Sequence, residues 1–228
     1  MAAKTRIALV TGANRGIGRA VSDRLHALGH EVVVTARDQE EAERAATALG
    51  RDARAAVLDV TDEEGPARVR DLVGPVDIVV NNAGIQLDWG RPPSAVPVEL
   101  VRRQFEVNVL GAWRMCQAFL PGMVERGWGR VVMVSSGTGA FSHGLSAHTP
   151  GYSVSKTALN ALTVLMAAET AGTGVLVNAV NPGQVRTRMR PQADRLPEQA
   201  AEDIVWAATL PDNGPSGVFL RGRKETPW

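Results

Sequence analysis

Short apolar runs alternate with longer amphipathic stretches along most of the chain. Residues 7–10, 32–34, 55–58, 76–80, 130–134, 175–180 and 217–220 form the apolar runs. They are too short for helices, and most are rich in β-branched residues. Their continuity predicts strands buried on both faces, because a strand with one wet face would alternate apolar and polar. Between them lie helical patterns. The first carries Ile17, Ala20, Val21, Leu25 and Leu28 on one stripe and stops at Gly29. Others cover residues 40–49 and 63–73, then a long helix over 98–125 that Pro121-Gly122 disturbs near its end. A further helix begins at Tyr152, with Pro150-Gly151 as the break before it, and a last one covers 198–210.

Strands alternating with helices predict an α/β fold with right-handed crossovers. The expectation is a doubly wound parallel sheet of about seven strands in the order 3-2-1-4-5-6-7, with helices on both faces. No linker, repeat or low-complexity block interrupts residues 1–228, so one domain is expected. Residues 184–197 are polar, hold four arginines and show no period. They are expected to form a mobile flap over a pocket, and residues 85–96, with Trp89, to shape its other wall.

Composition narrows the picture. The chain has 228 residues, is 44% hydrophobic and carries a formal net charge of +1. Such a balance gives no broad attraction to nucleic acid or to a membrane surface. The leading residues hold no signal-type apolar stretch, and no window is long enough to span a bilayer. The one cysteine, Cys116, lies in an apolar helical run and reads as a core residue. An internal disulfide is impossible, which suits a cytoplasmic protein. No metal-ligand spacing is present. His26 and His30 read as surface residues, and the five tryptophans as packing residues.

Two stretches carry candidate chemistry. Thr11-Gly12-Ala13-Asn14-Arg15-Gly16-Ile17-Gly18 falls between the first strand and the first helix. Glycines there allow a tight turn, and the helix N-terminus offers N–H groups to a pyrophosphate. The second is Tyr152-x-x-x-Lys156, which puts a phenol and an ammonium one turn apart on a helix face. A cation beside a phenol lowers its pKa from about 10 toward a useful range.

Add Asn81-Asn82-Ala83-Gly84 after the fourth strand and Ser136 after the fifth, and the chain resembles the short-chain dehydrogenase/reductase family from residue 7 to about 187. The resemblance implies a Rossmann-type fold. It also implies an oxidoreductase moving hydride between a nicotinamide and a carbonyl or alcohol. By resemblance, Tyr152 is the acid/base, Ser136 binds the carbonyl oxygen, and Lys156 holds the cofactor ribose. Asn108 matches the position that anchors a water relaying protons to Lys156. Gly12, Asn14, Arg15, Gly16, Ile17 and Gly18 would cradle the pyrophosphate. Asp59 and Val60 would meet the adenine, and Asn81, Ala83 and Gly84 would line the path to the nicotinamide. Pro182, Gly183, Val185 and Thr187 would hold the nicotinamide amide.

The family position for an acidic, NAD-reading residue is Ala36 here. Arg37 and Arg15 could instead pair with a 2′-phosphate, so NADP(H) is expected. Asp38 is the rival, two places beyond that position. A homodimer or homotetramer through the helices at 98–125 and 152–169 is also implied. The rival functions are a hydrolase, for which no Gly-x-Ser-x-Gly pentad occurs, and a non-catalytic NADP-binding redox sensor on the same fold.

Overall fold

A computed structural model describes residues 5–228; residues 1–4, the start of the leading segment read above, lie outside the described residues. Eight strands form one sheet in the order β3-β2-β1-β4-β5-β6-β7-β8. They are β1 Ile7–Val10, β2 Glu31–Ala36, β3 Ala53–Val57, β4 Ile78–Asn81, β5 Gly129–Val134, β6 Val175–Val180, β7 Phe219–Arg221 and β8 Lys224–Thr226. The helices are α1 Gly16–Ala27, α2 Gln39–Leu49, α3 Gly65–Val73, α4 Val98–Phe105, α5 Gly111–Glu125, α6 Pro150–Glu169 and α7 Pro197–Ala208. All pairings from β3 to β7 are parallel. The architecture is therefore the Rossmann-type α/β sheet that the alternation implied.

The continuous apolar runs are buried as expected, and the pleat divides them between two cores. Leu9, Val33, Val79, Val131, Met133 and Val177 face α3, α5 and α6. Ala8, Val10, Val32, Val34, Ile78, Val80 and Val132 face α1, α2 and α7. Each of the strands β1 to β7 thus feeds both cores, and a one-residue slip would exchange them.

Four details depart from the sequence reading. The eighth strand, antiparallel to β7, was not expected. Its hairpin turns on Gly222 (φ 55°) and Arg223 (φ 63°), and Arg223 alone among the described non-glycine residues has positive φ. Two left-handed centres make the turn whose twist matches a hairpin, but Gly-Arg is not its usual signature. Pro150 and Gly151 begin α6 rather than break before it, because proline suits a first helical turn. The long helix over 98–125 contains a π-helical segment, Glu106–Leu110, between α4 and α5. His30 is buried, not superficial. Its Nδ1 accepts from the Arg6 amide at 3.3 Å.

The sheet order changes direction between β1 and β4, which pair side by side. Loops that leave their carboxyl ends part to opposite faces there and open a crevice. The glycine turn, Asp59, Asn82, Ser136 and Pro182 all follow strand ends on that edge.

Candidate active site

The glycine turn is fastened to the end of β4. The Thr11 hydroxyl accepts from the amides of Asn82 and Ala83, both at 2.9 Å. The Asn82 side-chain amide donates to the carbonyls of Thr11 at 2.9 Å and Gly12 at 3.2 Å. A Cβ on Gly18 would lie 2.5 Å from both Asn82 Nδ2 and Gly12 O, so only glycine lets α1 start so close to this staple. Arg15 caps α1 without a side-chain bond, and no acidic residue lies in its first turn. The open N–H groups of that turn and its positive dipole end suit a pyrophosphate. Gly12, Gly16, Ile17 and Gly18 thus stand where the sequence put them. Asn14 donates from its side chain to Glu41 at 2.8 Å and ties the turn to α2.

Arg15 and Arg37 are both exposed, and neither side chain has a hydrogen-bond or ion-pair partner among the described residues. Asp38 is the N-cap of α2, where one of its carboxylate oxygens accepts from the Glu41 amide at 3.0 Å. A cleft of about 220 Å³ outside the glycine turn is lined by Asn14, Arg15, Arg19, Glu41, Arg44, Ala45 and Arg188. It gathers four arginines and does not reach Tyr152. Asp59 accepts from the amide and hydroxyl of Thr61, shaping the turn after β3. Val60 is buried against Gly111.

Asn81 departs from its expected place. Its side chain is turned into the sheet, with Nδ2 3.3 Å from Met133 Sδ. Only its backbone remains on the path between β1 and β4; the staple to the glycine turn comes from Asn82. Neither Thr11 nor Asn82 was singled out by sequence reasoning, although both belong to the motifs that carried the resemblance.

The π-segment in the long helix carries Asn108. Its Oδ1 accepts from the Ile85 amide at 2.8 Å, and its Nδ2 donates to Ile85 O and Ser155 Oγ. Such single-turn bulges commonly re-aim a side chain at a functional site. A Cβ on Gly84 would lie 3.3 Å from Asn108 Oδ1 and 3.6 Å from Lys156 Nζ, so those two groups border one point. Lys156 is buried. Its Nζ donates to Val134 O at 2.8 Å, and no carboxylate faces it among the described residues. Gly139 permits this approach, because a Cβ there would lie 2.6 Å from Lys156 Cβ.

The two serines after β5 diverge. Ser135 is buried and donates to Asn160 Oδ1 at 2.5 Å. Ser136 caps the short 3₁₀ turn Gly137–Gly139 and stands beside the Tyr152 phenol. Geometry therefore separates a structural serine from one at the mouth of the crevice.

Electrostatics overturn one expectation. Burial pushes the Tyr152 phenol up to about 12, and Ser136 and the Arg190 charge draw it back only in part. The neighbouring Lys156 does not offset that burial. The ammonium lies 5.7 Å from the ring centroid, and burial drives its own pKa down to about 8. Both groups are desolvated, so each disfavours its charged form.

Asp88 was missed by sequence reasoning. It is fully buried, and its Oδ2 accepts from the amides of Gly151 at 2.5 Å and Tyr152 at 3.2 Å. A carboxylate thus caps the helix that carries the phenol. The spacing to Pro150-Gly151 is too long for any local capping signal.

Residues 184–196 form a loop between β6 and α7 with only isolated bridges, such as Val185 to Arg195. Arg195 fastens it to Pro182 O, Gln199 O and Asp203. The Asn181 side chain accepts from the Gly183 amide at 2.9 Å. Thr187 sits above the glycine turn, its Cγ2 3.4 Å from where a Gly16 Cβ would stand. Pro182 and Gly183 follow the end of β6, and Thr187 brings the loop against the glycine turn.

A glycine turn at a helix N-terminus, a Tyr-Lys pair and a serine thus share one crevice of a Rossmann-type sheet. Comparison with known proteins agrees. The short chain dehydrogenase family matches residues 6–197, and this chain belongs to that family. It is 35% identical to 1-deoxy-11-beta-hydroxypentalenate dehydrogenase of Streptomyces exfoliatus over 99% of this chain and 89% of that protein. It is also 35% identical to the 3-oxoacyl-(acyl-carrier-protein) reductase FabG of Escherichia coli K12, over 81% of this chain and 75% of that one. Among solved structures, a short chain dehydrogenase/reductase family protein superposes with a TM-score of 0.88 at 32% identity, covering 97% of each chain. A Brucella melitensis 3-oxoacyl-(acyl-carrier protein) reductase with bound NAD has a TM-score of 0.87 at 27% identity, covering 97% of this chain and 90% of that one. A serine dehydrogenase complexed with NADP+ has a TM-score of 0.85 at 28% identity, covering 94% and 93%.

Proposed function

We propose that this chain is an NADP(H)-dependent oxidoreductase acting on a small carbonyl or alcohol substrate, with Tyr152 as the acid/base. The observation that carries the reading is the convergence of Ser136, Tyr152, Lys156 and Asn108 beside the glycine cradle. When bound, the nicotinamide supplies or accepts the hydride.

In the reducing direction Ser136 donates a hydrogen bond to the substrate carbonyl oxygen. The same oxygen takes the phenolic proton of Tyr152 as its carbon gains hydride, and an alcohol results. A phenol held near 12 keeps its proton at neutral pH, which is the form a donor needs. Lys156 has three N–H donors and spends one on Val134 O, leaving the others for ribose hydroxyls. Its charge beside the phenolate formed on proton transfer stabilises that anion. Asn108 and Lys156 border the same point and would share a water through which Tyr152 regains its proton.

The preference for NADP(H) rests on Ala36, on the unpaired Arg15 and Arg37, and on the commitment of Asp38 to a helix cap. The loop at 184–197 serves as the flap over the site. Exposed Leu110, Trp113, Val154, Val164 and Leu165 on the long helices fit a homodimer or homotetramer. The single buried Cys116 fits a reducing cytoplasm.

Two measurements test the reading. Tyr152→Phe retains NADPH binding and loses turnover by about 10²–10⁴-fold; near-normal turnover refutes it. NADPH gives the higher kcat/KM by at least about tenfold, since one charge-assisted phosphate contact is worth roughly 1.5–3 kcal/mol; equal values or an NADH preference refute the cofactor assignment.

A further inference from the structure

The flap carries four arginines, and three have other occupations. Arg195 pairs with Asp203 and binds two carbonyls. Arg186 donates to Ala193 O at 2.9 Å. Arg188 lines the cleft outside the glycine turn. Arg190 differs in having an aromatic partner: like Arg188, it makes no side-chain hydrogen bond or ion pair among the described residues. Its guanidinium lies over the Trp89 indole, with Cζ 3.9 Å from the ring centroid.

That contact fixes where the cation stands. Trp89 is the neighbour of Asp88, whose carboxylate holds the Gly151 and Tyr152 amides. Arg190 also closes the tight turn with Thr187, through Arg190 N to Thr187 O at 3.1 Å, and Thr187 lies over the glycine turn. The guanidinium is therefore bracketed between the cradle and the phenol, at the mouth of the crevice. Its charge is felt at the Tyr152 hydroxyl. Trp89 is 60% exposed, against the expectation that the tryptophans pack. An indole in that position serves as a platform for the cation rather than as core.

Stacking occupies the face of a guanidinium and leaves its in-plane N–H groups free for an anion. The Arg190 charge reaches the phenol from the crevice mouth, so an anion bound there would lie within charge range of the Tyr152 hydroxyl. We propose that Arg190, held on Trp89, binds the carboxylate of the substrate, and that the enzyme acts on short free keto acids or the corresponding hydroxy acids. This rests on the oxidoreductase reading above. It departs from a carrier-bound 3-oxoacyl thioester, which has no charge near its carbonyl.

The test compares kcat/KM for acetoacetate, methyl acetoacetate and a 3-oxoacyl N-acetylcysteamine thioester, each with NADPH. Wild type favours the acid over the ester by about 10- to 100-fold, the discrimination expected of one charged hydrogen-bonded pair. In Arg190→Met that ratio collapses toward one, and in Arg190→Lys it is partly kept, since lysine offers charge without the fork. A purely structural arginine would lower all three substrates together and leave the ratio unchanged, and that result overturns the proposal. So does a wild-type preference for the ester or the thioester. If none of the three turns over, the assigned reaction fails. Calorimetric binding of 3-hydroxybutyrate with NADP+ present then decides the carboxylate site separately. Binding lost in Arg190→Met sustains it, and absent or undiminished binding ends it.

Discussion

Two cations are buried at opposite ends of β5, and the protein treats them differently. Arg130, near the start of the strand, is fully enclosed. It donates to Leu210 O, Gly129 O and Gly174 O, pairs with Asp212 at 2.8 Å and lies 4.2 Å from the Trp128 ring centroid. Burial lowers its pKa, and Asp212 restores part of it. Lys156 meets the other end of the strand at Val134 O and has that one acceptor. Its fall from 10.5 to about 8 corresponds to roughly 3 kcal/mol against the protonated form. A cation that only supports the fold is saturated by its surroundings. One left short of partners, at the carboxyl edge where such sheets take ligands, is poised for atoms that arrive from outside.

The comparison can be broken most decisively at Lys156. Lys156→Met lowers turnover by about 10²–10⁴-fold, as expected for part of an acid/base unit, yet raises the melting temperature of the ligand-free protein. Retained turnover, or a lower melting temperature, shows the two cations to be alike.

Arg130→Met behaves in the opposite sense. It strands the buried carbonyls of Leu210 and Gly129 and costs about 2–4 kcal/mol, read as a lower urea midpoint, while turnover per folded molecule is unchanged.

A pH series sharpens the contrast further. The folded pKa of Lys156 lies below its unfolded value, so its burial costs most below pH 8 and least above about 10.5. The stability advantage of Lys156→Met over wild type therefore shrinks by about 2 kcal/mol between pH 7.5 and pH 10. Arg130→Met shows no comparable trend across that window. Tyr152, raised to about 12, acts the other way and only above pH 10. The smallest effect belongs to Asp212→Asn, because that carboxylate is exposed. It costs less than Arg130→Met and is felt above, not below, the carboxylate range, where Arg130 and Trp128 hold the native Asp212 ionised.

Much of this was legible in the sequence. Buried parallel strands betray themselves as unbroken apolar runs, and the glycine turn by its spacing after the first strand, while Tyr152-Lys156 gains its meaning only beside the other motifs of the resemblance. The antiparallel β8 did not, because its turn uses Gly222-Arg223 and its strand is exposed and charged. Nor did the π-segment at Asn108, since helical periodicity is nearly the same on either side of it. Asp88 lies 63 residues from the Gly151 amide it binds, beyond the reach of any local pattern. The tryptophan reading failed at Trp89 for the same reason: the partner that makes its exposure useful comes from the flap.

The sequence by itself determined the order of elements, the strand ends that face the ligand and the residue types available there. These depend on contacts within a turn or along a strand, which repeat with fixed periods. Tertiary structure alone decided which asparagine staples the glycine turn, that Asp88 caps the helix of the phenol, and how far Tyr152 and Lys156 are desolvated. Desolvation and cross-chain pairing sum over everything packed around a group, and no short stretch of chain contains that sum.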